Sequence, residues 1–158
     1  MLAGAAISGC TASGPPAPMG VPDVVRRSGA RQFAAIRADL KLREAALISE
    51  HSLLQRCEAT ARRHPALEPA LRPLVRDHRA HVRVLRSLSD APVRQAKPAQ
   101  RVPADRSKAL AEVRQAERRA VEARVADCVE AASGELASLL AAVAASGAQH
   151  TSLLATGS

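Results

Sequence analysis

Aromatic residues are almost absent from this chain of 158 residues. Phe33 is the one phenylalanine, and there is no tryptophan or tyrosine. Because aromatic rings build both the stacking platforms for nucleic-acid bases and the cages for cationic ligands, the sequence excludes both kinds of site. It also disfavours a β-sandwich or barrel, whose core uses aromatic and β-branched side chains. The apolar 47% is chiefly alanine, leucine and valine, a composition that favours helices.

Lysine is also scarce, although the chain is basic: 20 arginines and 3 lysines give a net charge of +8. This charge is compatible with an anionic partner such as nucleic acid, anionic lipid or a cell-wall polymer. The alternative is a solvated, arginine-rich helix surface, because a composition heavy in alanine and arginine is typical of high-GC bacterial genomes. We therefore favour anionic lipid or a cell-wall polymer over nucleic acid.

Motifs of the common enzyme classes are missing. The sequence has no Gly-x-Ser-x-Gly, phosphate-binding loop, dinucleotide fingerprint or Cys-x-x-Cys. After Cys10, no run of uncharged apolar residues approaches the 18 or so that cross a bilayer. The sequence therefore predicts neither a standard hydrolase or nucleotide-binding site nor a transmembrane helix.

The first ten residues contain a candidate targeting signal. Residues 1–9 are small, apolar and uncharged, and they lead into the tetrad Ile7-Ser8-Gly9-Cys10. This tetrad resembles a bacterial lipobox, and the resemblance implies that Cys10 receives a diacylglycerol thioether and becomes the mature N-terminus. A signal peptide begins with a basic region, so we expect 1–9 to be the end of a signal peptide that starts upstream. The alternative is an apolar tail with an incidental cysteine.

The segment after Cys10 has the composition of a tether. Thr11–Pro22 is rich in proline, glycine and serine, which cannot form a packed core. We expect residues 10–31 to form a lipidated cysteine followed by a flexible tether. The protein would then sit on the extracytoplasmic face of the cell membrane, held by its acyl chains.

The remaining residues, 32–158, are predicted to form one all-α domain. Glycine is absent between Ala30 and Ser133, and the breakers lie at His64-Pro65, in a polar linker over 89–106 and at Ser133-Gly134. We expect helices at 32–63, 66–89, 106–132 and 135–155, each with an apolar stripe at helical spacing. The stripe of the first helix comprises Phe33, Ile36, Leu40, Leu47, Leu54 and Cys57. Four such helices predict a four-helix bundle.

The 18-residue linker permits two topologies. At roughly 3.1 Å per residue it reaches over about 50 Å, more than the ~35 Å length of a helix of this size, so it can cross the whole bundle. A crossover makes helices 2 and 3 parallel and places Cys57 and Cys128 at opposite ends. A simple up-down-up-down bundle places both cysteines at one end. We favour reduced, buried cysteines over a disulfide.

Five ionisable residues interrupt the apolar stripes and are predicted to point inward. They are Glu50, His78, His81, Glu117 and His150. Counted from the two turns, each lies about 14 to 17 residues deep, which at 1.5 Å per residue places them in one layer of the bundle.

This pattern resembles the ferritin-like superfamily, whose bundles hold two metal ions with a Glu on each of two helices and a Glu-x-x-His on each of the other two. Glu50 and Glu117 match the single carboxylates, and His81 and His150 match the histidines. The resemblance implies a ferritin-like bundle with a long crossover between helices 2 and 3. This chain has His78 and Gly147 where the motifs have Glu, so two of four carboxylates are missing.

Two interpretations of the layer remain open. Two Glu and three His suit a single zinc or iron ion better than a dinuclear centre. Alternatively, the layer is a hydrogen-bonded network that fixes helix register without an ion. Arg124 lies seven residues after Glu117 on the same face, and we expect it to pair with Glu50 or Glu117 and to oppose a cation.

Three functional hypotheses follow. The leading one is a non-enzymatic binding or structural role at the cell envelope. The alternative is a metal-binding or metal-dependent ferritin-like protein that uses the Glu/His layer. The third assigns the basic surface to anionic lipid or a cell-wall polymer.

Overall fold

The computed structural model describes residues 23–88 and 101–156. Within them the chain forms four helices: α1 (Asp23–Arg63), α2 (Glu68–Ser87), α3 (Arg106–Glu130) and α4 (Gly134–Thr156). A short 3-10 helix, Pro65–Leu67, joins α1 to α2. These residues contain no strand, so the all-α prediction with four helices is confirmed. None of the described helices combines the length and the apolar character needed to cross a bilayer.

The helix boundaries follow from local chemistry. His64 precedes a proline, which disfavours the helical conformation and ends α1. Asp105 caps α3, because its carboxylate accepts a hydrogen bond from the Lys108 amide at 2.7 Å. Ser133 caps α4 in the same way, through the Leu136 amide at 3.3 Å.

Helix α1 is longer than expected. It begins at Asp23, nine residues before the predicted start at residue 32, so the end of the predicted tether 10–31 is helical. The segment 23–31 contains no proline, and a single glycine such as Gly29 costs a helix only about 1 kcal/mol. The predicted signal peptide 1–9, Cys10, the tether before Asp23 and linker residues 89–100 lie outside the described residues.

The core consists of two apolar clusters, one toward each end of the bundle. The proximal cluster, nearer the start of α1, contains Ala46, Leu47, Val82, Leu85, Leu136 and Leu140. The distal cluster contains Cys57, Leu67, Leu71, Leu74, Val113 and Leu154. Helix α1 packs mainly against α2 and α3, and α4 packs mainly against α3 and α2.

Two sets of hydrogen bonds fix the helix directions. At the distal end, His64 Nε2 and Arg63 Nε donate to the carbonyl of Pro103, at 2.9 Å and 3.3 Å, so α3 begins beside the start of α2. At the proximal end, the carboxylate of Asp39 accepts from the amides of Ala132 and Ser133, at 2.8 Å and 2.9 Å. Helices α2 and α3 are therefore parallel, and α2 ends at the end of the bundle opposite to the start of α3. This is the direction that a crossing connection requires.

The first apolar residues of α1 are not in the core. Phe33, Ile36 and Leu40 are exposed, whereas we expected them to face the other helices. At 1.5 Å per residue, the 41 residues of α1 span about 60 Å, roughly twice the length of α2. The α3–α4 turn lies beside Asp39, and Leu88, just past the end of α2, lies beside Leu40. The start of α1 therefore extends past the other three helices.

The two cysteines of the bundle provide a test of helix direction. Cys57 belongs to the distal cluster, and Cys128 packs against the proximal cluster, where its thiol donates to the Ala137 carbonyl at 3.2 Å. Both are free thiols. A disulfide requires Cα atoms within about 7 Å of each other. We therefore expect mass spectrometry of the oxidised, non-reduced protein to find no link between Cys57 and Cys128, and an intramolecular bridge between them would contradict these helix directions.

Candidate functional site in the core of the bundle

The structure brings all five predicted inward residues together between the two apolar clusters. Glu50 comes from α1, His78 and His81 from α2, Glu117 from α3 and His150 from α4. Four of them are fully buried, and His81 is partly buried. The prediction that these side chains form one layer is therefore confirmed by geometry.

His78 is at the centre of the layer. Its Nδ1 lies 2.8 Å from Glu50 Oε2, and its Nε2 lies 2.8 Å from Glu117 Oε1. A carboxylate accepts hydrogen bonds and does not donate them, so both ring nitrogens donate and the ring is an imidazolium cation. Burial opposes this charge, but hydrogen bonds to Cys57, Glu117 and Glu50 outweigh it and raise the pKa of His78 to about 12.

Glu50 carries the matching negative charge. Its Oε2 accepts a second hydrogen bond, from His81 Nδ1, at 2.8 Å. Burial acts to raise the pKa of Glu50, but the hydrogen bonds from His78 and His81 are stronger together and lower the pKa to about 2. Glu50 therefore stays ionised although its side chain is buried.

Glu117 extends the network to α4. Its Oε2 lies 3.4 Å from His150 Nδ1, and His150 Nε2 lies 3.3 Å from Asp77 Oδ2. Burial acts to raise the pKa of Glu117, whereas hydrogen bonds with His150 and His78 lower it below its usual value. The network thus connects Glu50, His78, Glu117, His150 and Asp77, and it links all four helices.

The shifts in pKa have a defined consequence for stability. His78 binds its proton more tightly in the folded protein than in the unfolded chain, so its contribution is complete below pH 6.5 and is lost as pH rises toward 12. Glu50 holds its proton less tightly when folded, so its contribution is complete above pH 4.5 and is lost as pH falls toward 2. The pair of His78 and Glu50 therefore stabilises the fold most between pH 4.5 and pH 6.5.

Arg124 pairs differently from the expectation. Its guanidinium is buried, and Nη2 lies 2.7 Å from Asp127 Oδ2, one turn along α3, rather than on Glu50 or Glu117. Burial lowers the pKa of Arg124, and the charges of Asp127 and Glu50 oppose that effect. Arg124 still lines the same small cavity as Glu50 and Glu117, so its positive charge opposes a metal cation there, as expected.

That cavity is closed on the side of α4. Its volume is about 10 Å³, close to the space that a single water needs. A Cβ built at Gly147 would lie 2.8 Å from Val121 Cγ2 and 3.9 Å from Glu117 Oε2. A side chain at the position where the ferritin-like motif has Glu therefore does not fit without displacing Val121.

The residues present do not fit a dinuclear metal centre. Such a centre needs bridging carboxylates, and His78 and Gly147 replace two of the four. Within residues 23–88 and 101–156, a single ion has two candidate donor sets whose atoms lie within 4.8 Å of one another: Glu50, His78 and His81, or Cys57, His78 and Glu117. Both sets need a ring nitrogen of His78, so an ion must displace a His78 proton that is hydrogen-bonded to a carboxylate.

Two members of the site were not predicted. Cys57 lies seven residues after Glu50 on the same face of α1, so the helical spacing contained a usable signal. Burial raises the pKa of its thiol, and its hydrogen bond with His78 opposes that effect. Asp77 has no such signal, because it is adjacent to His78 in sequence and reaches His150 only through the tertiary fold.

Comparison with known proteins gives no match: no family model fits the sequence, and neither a curated protein nor a solved structure is similar to it.

The close approach at Gly147 predicts the effect of a single methyl group. We expect Gly147→Ala to destabilise the protein by about 1 kcal/mol. Overpacking against Val121 costs roughly 1–3 kcal/mol, whereas the higher helix propensity of alanine stabilises the helix by about 1 kcal/mol. Urea unfolding measures this change in free energy. Gly134→Ala is the matched control, since a Cβ there meets nothing within 4 Å. Equal stability of the two variants would contradict the close packing.

Proposed function

We propose that the protein is an exported, lipid-anchored helical module with a non-enzymatic binding or structural role at the cell envelope. In this proposal Cys10 carries the anchor on the extracytoplasmic face of the membrane. The folded part is a ferritin-like four-helix bundle with a long crossover between α2 and α3. The Glu/His layer in its core keeps the four helices in register.

The observation that carries the structural role is the position of His78 between Glu50 and Glu117. In a ferritin-like metal centre, facing carboxylates neutralise metal cations. In this chain the cation between the two carboxylates belongs to the protein itself. A network with donors and acceptors already matched stabilises a particular helix arrangement, and it engages Glu50 Oε2 and both oxygens of Glu117, which a metal would otherwise use as ligands.

The parallel direction of α2 and α3 supports the ferritin-like part of the proposal. So does the placement of the polar layer between the two apolar clusters, with two residues from α2 and one from each of the other helices. The lipid anchor rests on the tetrad Ile7-Ser8-Gly9-Cys10 and on the proline- and glycine-rich segment behind it.

The second candidate function is binding of a single zinc or iron ion. It is favoured by the donor atoms of Glu50, His78 and His81, which lie within 4.8 Å of one another. In this case Glu50 and His81 would hold the ion, together with a deprotonated ring nitrogen of His78. A bound ion supplies a Lewis acid at this position.

Metal analysis of the purified full-length protein separates the two candidates. After dialysis against zinc, iron(II) or manganese, we expect substoichiometric metal and an unchanged melting temperature, since a native-state ligand raises the melting temperature by mass action. Stoichiometric metal together with a higher melting temperature, both lost in His81→Ala, would contradict the structural role and establish the metal site. Arg79→Ala is the control, because Arg79 is exposed and adjacent on α2.

Lipidation is tested by membrane partitioning. Expressed behind a complete signal peptide in a host that processes lipoproteins, the protein should partition into the detergent phase, and mass spectrometry should find the acyl mass on Cys10. Cys10→Ser removes the only thiol that the tetrad offers, so this variant should lose both properties. A Cys10→Ser variant that remains equally in the detergent phase would contradict the anchor.

A further inference from the structure

Exposed large apolar side chains are concentrated at the proximal end of the bundle. Phe33, Ile36 and Leu40 on α1 and Val84 and Leu88 on α2 are between 45% and 68% exposed. Val125 and Val129 on α3 are exposed on the same half of the bundle. Among the described residues, Leu153 is the only exposed large apolar residue toward the distal end. Single exposed apolar residues are ordinary, but a cluster of them marks an interaction surface.

The apolar residues of α1 continue the face that builds the core. Phe33, Ile36 and Leu40 are spaced by three and four residues, and the same spacing leads through Arg43 to Leu47 in the proximal cluster. Phe33, Ile36 and Leu40 therefore lie on the face that is buried further along the helix, but at the start of α1 the other described helices leave them about half exposed or more.

A groove at this end contains a buried cation. Ile36, Leu40, Leu88 and Leu136 form its apolar walls around a volume of about 240 Å³, and Arg43 lines it with only 9% of its surface exposed. Nε and Nη1 of Arg43 are buried and make no hydrogen bond to the described residues. Buried donors without acceptors cost roughly 1–3 kcal/mol, so the groove lacks an acceptor that a ligand can supply.

The acidic residues on the rim of the groove are already engaged or partly neutralised. Both oxygens of Asp39 accept hydrogen bonds from the α3–α4 turn. Glu135 lies in the first turn of α4, where the helix dipole stabilises its charge. Arg43 is therefore the lining residue whose buried donors have no acceptor among the described residues.

Exposed cations lie at the same end of the bundle as the apolar residues. Arg31, Arg37 and Lys41 lie on α1, and Arg83 and Arg86 lie near the end of α2. Arg37 and Lys41 each follow an apolar residue of the exposed row by one position, which places them about 100° around the helix from it. Both therefore lie on one side of the row, and an apolar row with long basic side chains beside it is the pattern of a helix that lies in a membrane interface, with its cations reaching the headgroups.

We propose that the proximal end of the bundle docks on an anionic phospholipid bilayer. Phe33, Ile36 and Leu40 enter the headgroup region, and Arg43 binds a lipid phosphate through its unpartnered donors. Charge selects a bilayer over a second copy of the chain, because two copies of this face would bring their cations together, whereas anionic headgroups neutralise them. The proposal deepens the envelope role proposed above but does not require an acyl chain on Cys10.

The geometry of the chain agrees with this orientation. Helix α1 starts from the proximal end, and 12 residues lie between Cys10 and Asp23, a distance of 13 residue steps. At no more than about 3.6 Å per residue, they keep the helix start within roughly 50 Å of an anchored Cys10. The docking face is therefore the end of the bundle that an anchor holds nearest to the membrane.

The test uses the full chain with Cys10→Ser, so that acylation plays no part. Co-sedimentation with vesicles measures binding to phosphatidylcholine containing a quarter phosphatidylglycerol and to phosphatidylcholine alone. We expect binding to the anionic vesicles to be at least about tenfold tighter and to weaken as salt rises. Equal binding to both vesicles, or none to the anionic ones, would overturn the proposal while leaving the lipid anchor at Cys10 untouched.

Matched variants locate the surface. In the same Cys10→Ser chain, Phe33→Ser with Ile36→Ser should reduce anionic binding roughly tenfold, because burial of each side chain contributes favourably at the interface. Leu153→Ser, an equally exposed apolar residue at the distal end, should bind as the parent does. Equal loss in both variants would assign binding to general hydrophobicity and overturn the docking face.

Replacement of Arg43 is expected to affect the melting temperature and vesicle binding differently. Arg43→Met should keep or raise the melting temperature, since it removes buried donors without acceptors, but it should weaken anionic binding several-fold. Arg118→Met, at an exposed position of α3, should leave binding unchanged. Parent-like binding by Arg43→Met would overturn the phosphate-binding role of Arg43.

Concentration-dependent dimerisation that is lost in Phe33→Ser with Ile36→Ser would show that a second copy covers the face and would overturn docking on lipid.

Discussion

A positively charged histidine held between two buried carboxylates is the interaction on which the rest of this structure depends. His78 on α2 donates one hydrogen bond to Glu50 on α1 and one to Glu117 on α3, both at 2.8 Å. Burying three charges is costly unless each is paired and hydrogen-bonded. The pairing holds only when three helices have the correct depth and rotation, so the layer ties the register of the bundle to its charge balance.

The same interaction explains why the layer differs from a metal centre of similar outline. Where a ferritin-like motif has a carboxylate on each of two helices, this chain has a cation at His78 and a closed position at Gly147. These two replacements both disfavour a metal: one places a positive charge between the remaining carboxylates, and the other removes the space for a further ligand. On either side of the layer, the two apolar clusters contain most of the buried apolar residues. The exposed apolar residues of α1 lie past the proximal cluster.

Much of this arrangement was predictable from periodicity and counting. Spacing along each helix identified Glu50, His78, His81, Glu117 and His150 as inward, and the distance of each from a turn placed them at one level. Periodicity does not reveal which of three histidines lies between the carboxylates, because that depends on helix rotation. Nor does it distinguish a covered apolar face from an uncovered one: Phe33, Ile36 and Leu40 have the spacing of core residues, and their exposure follows from the unequal helix lengths. The partner of Arg124 was missed although its i,i+3 spacing from Asp127 on the same helix was readable from the sequence.

The charge state of His78 is the central claim, and nitrogen-15 NMR of the histidine rings measures it directly. With a pKa raised to about 12, His78 should show two protonated ring nitrogens at pH 9 in the folded protein, where a free histidine is neutral. Glu50→Gln should shift the titration of this ring toward neutral pH, because it removes one of the two carboxylates. A single protonated nitrogen on His78 at pH 9 in the unsubstituted protein would contradict the account, since a neutral ring cannot donate to both carboxylates.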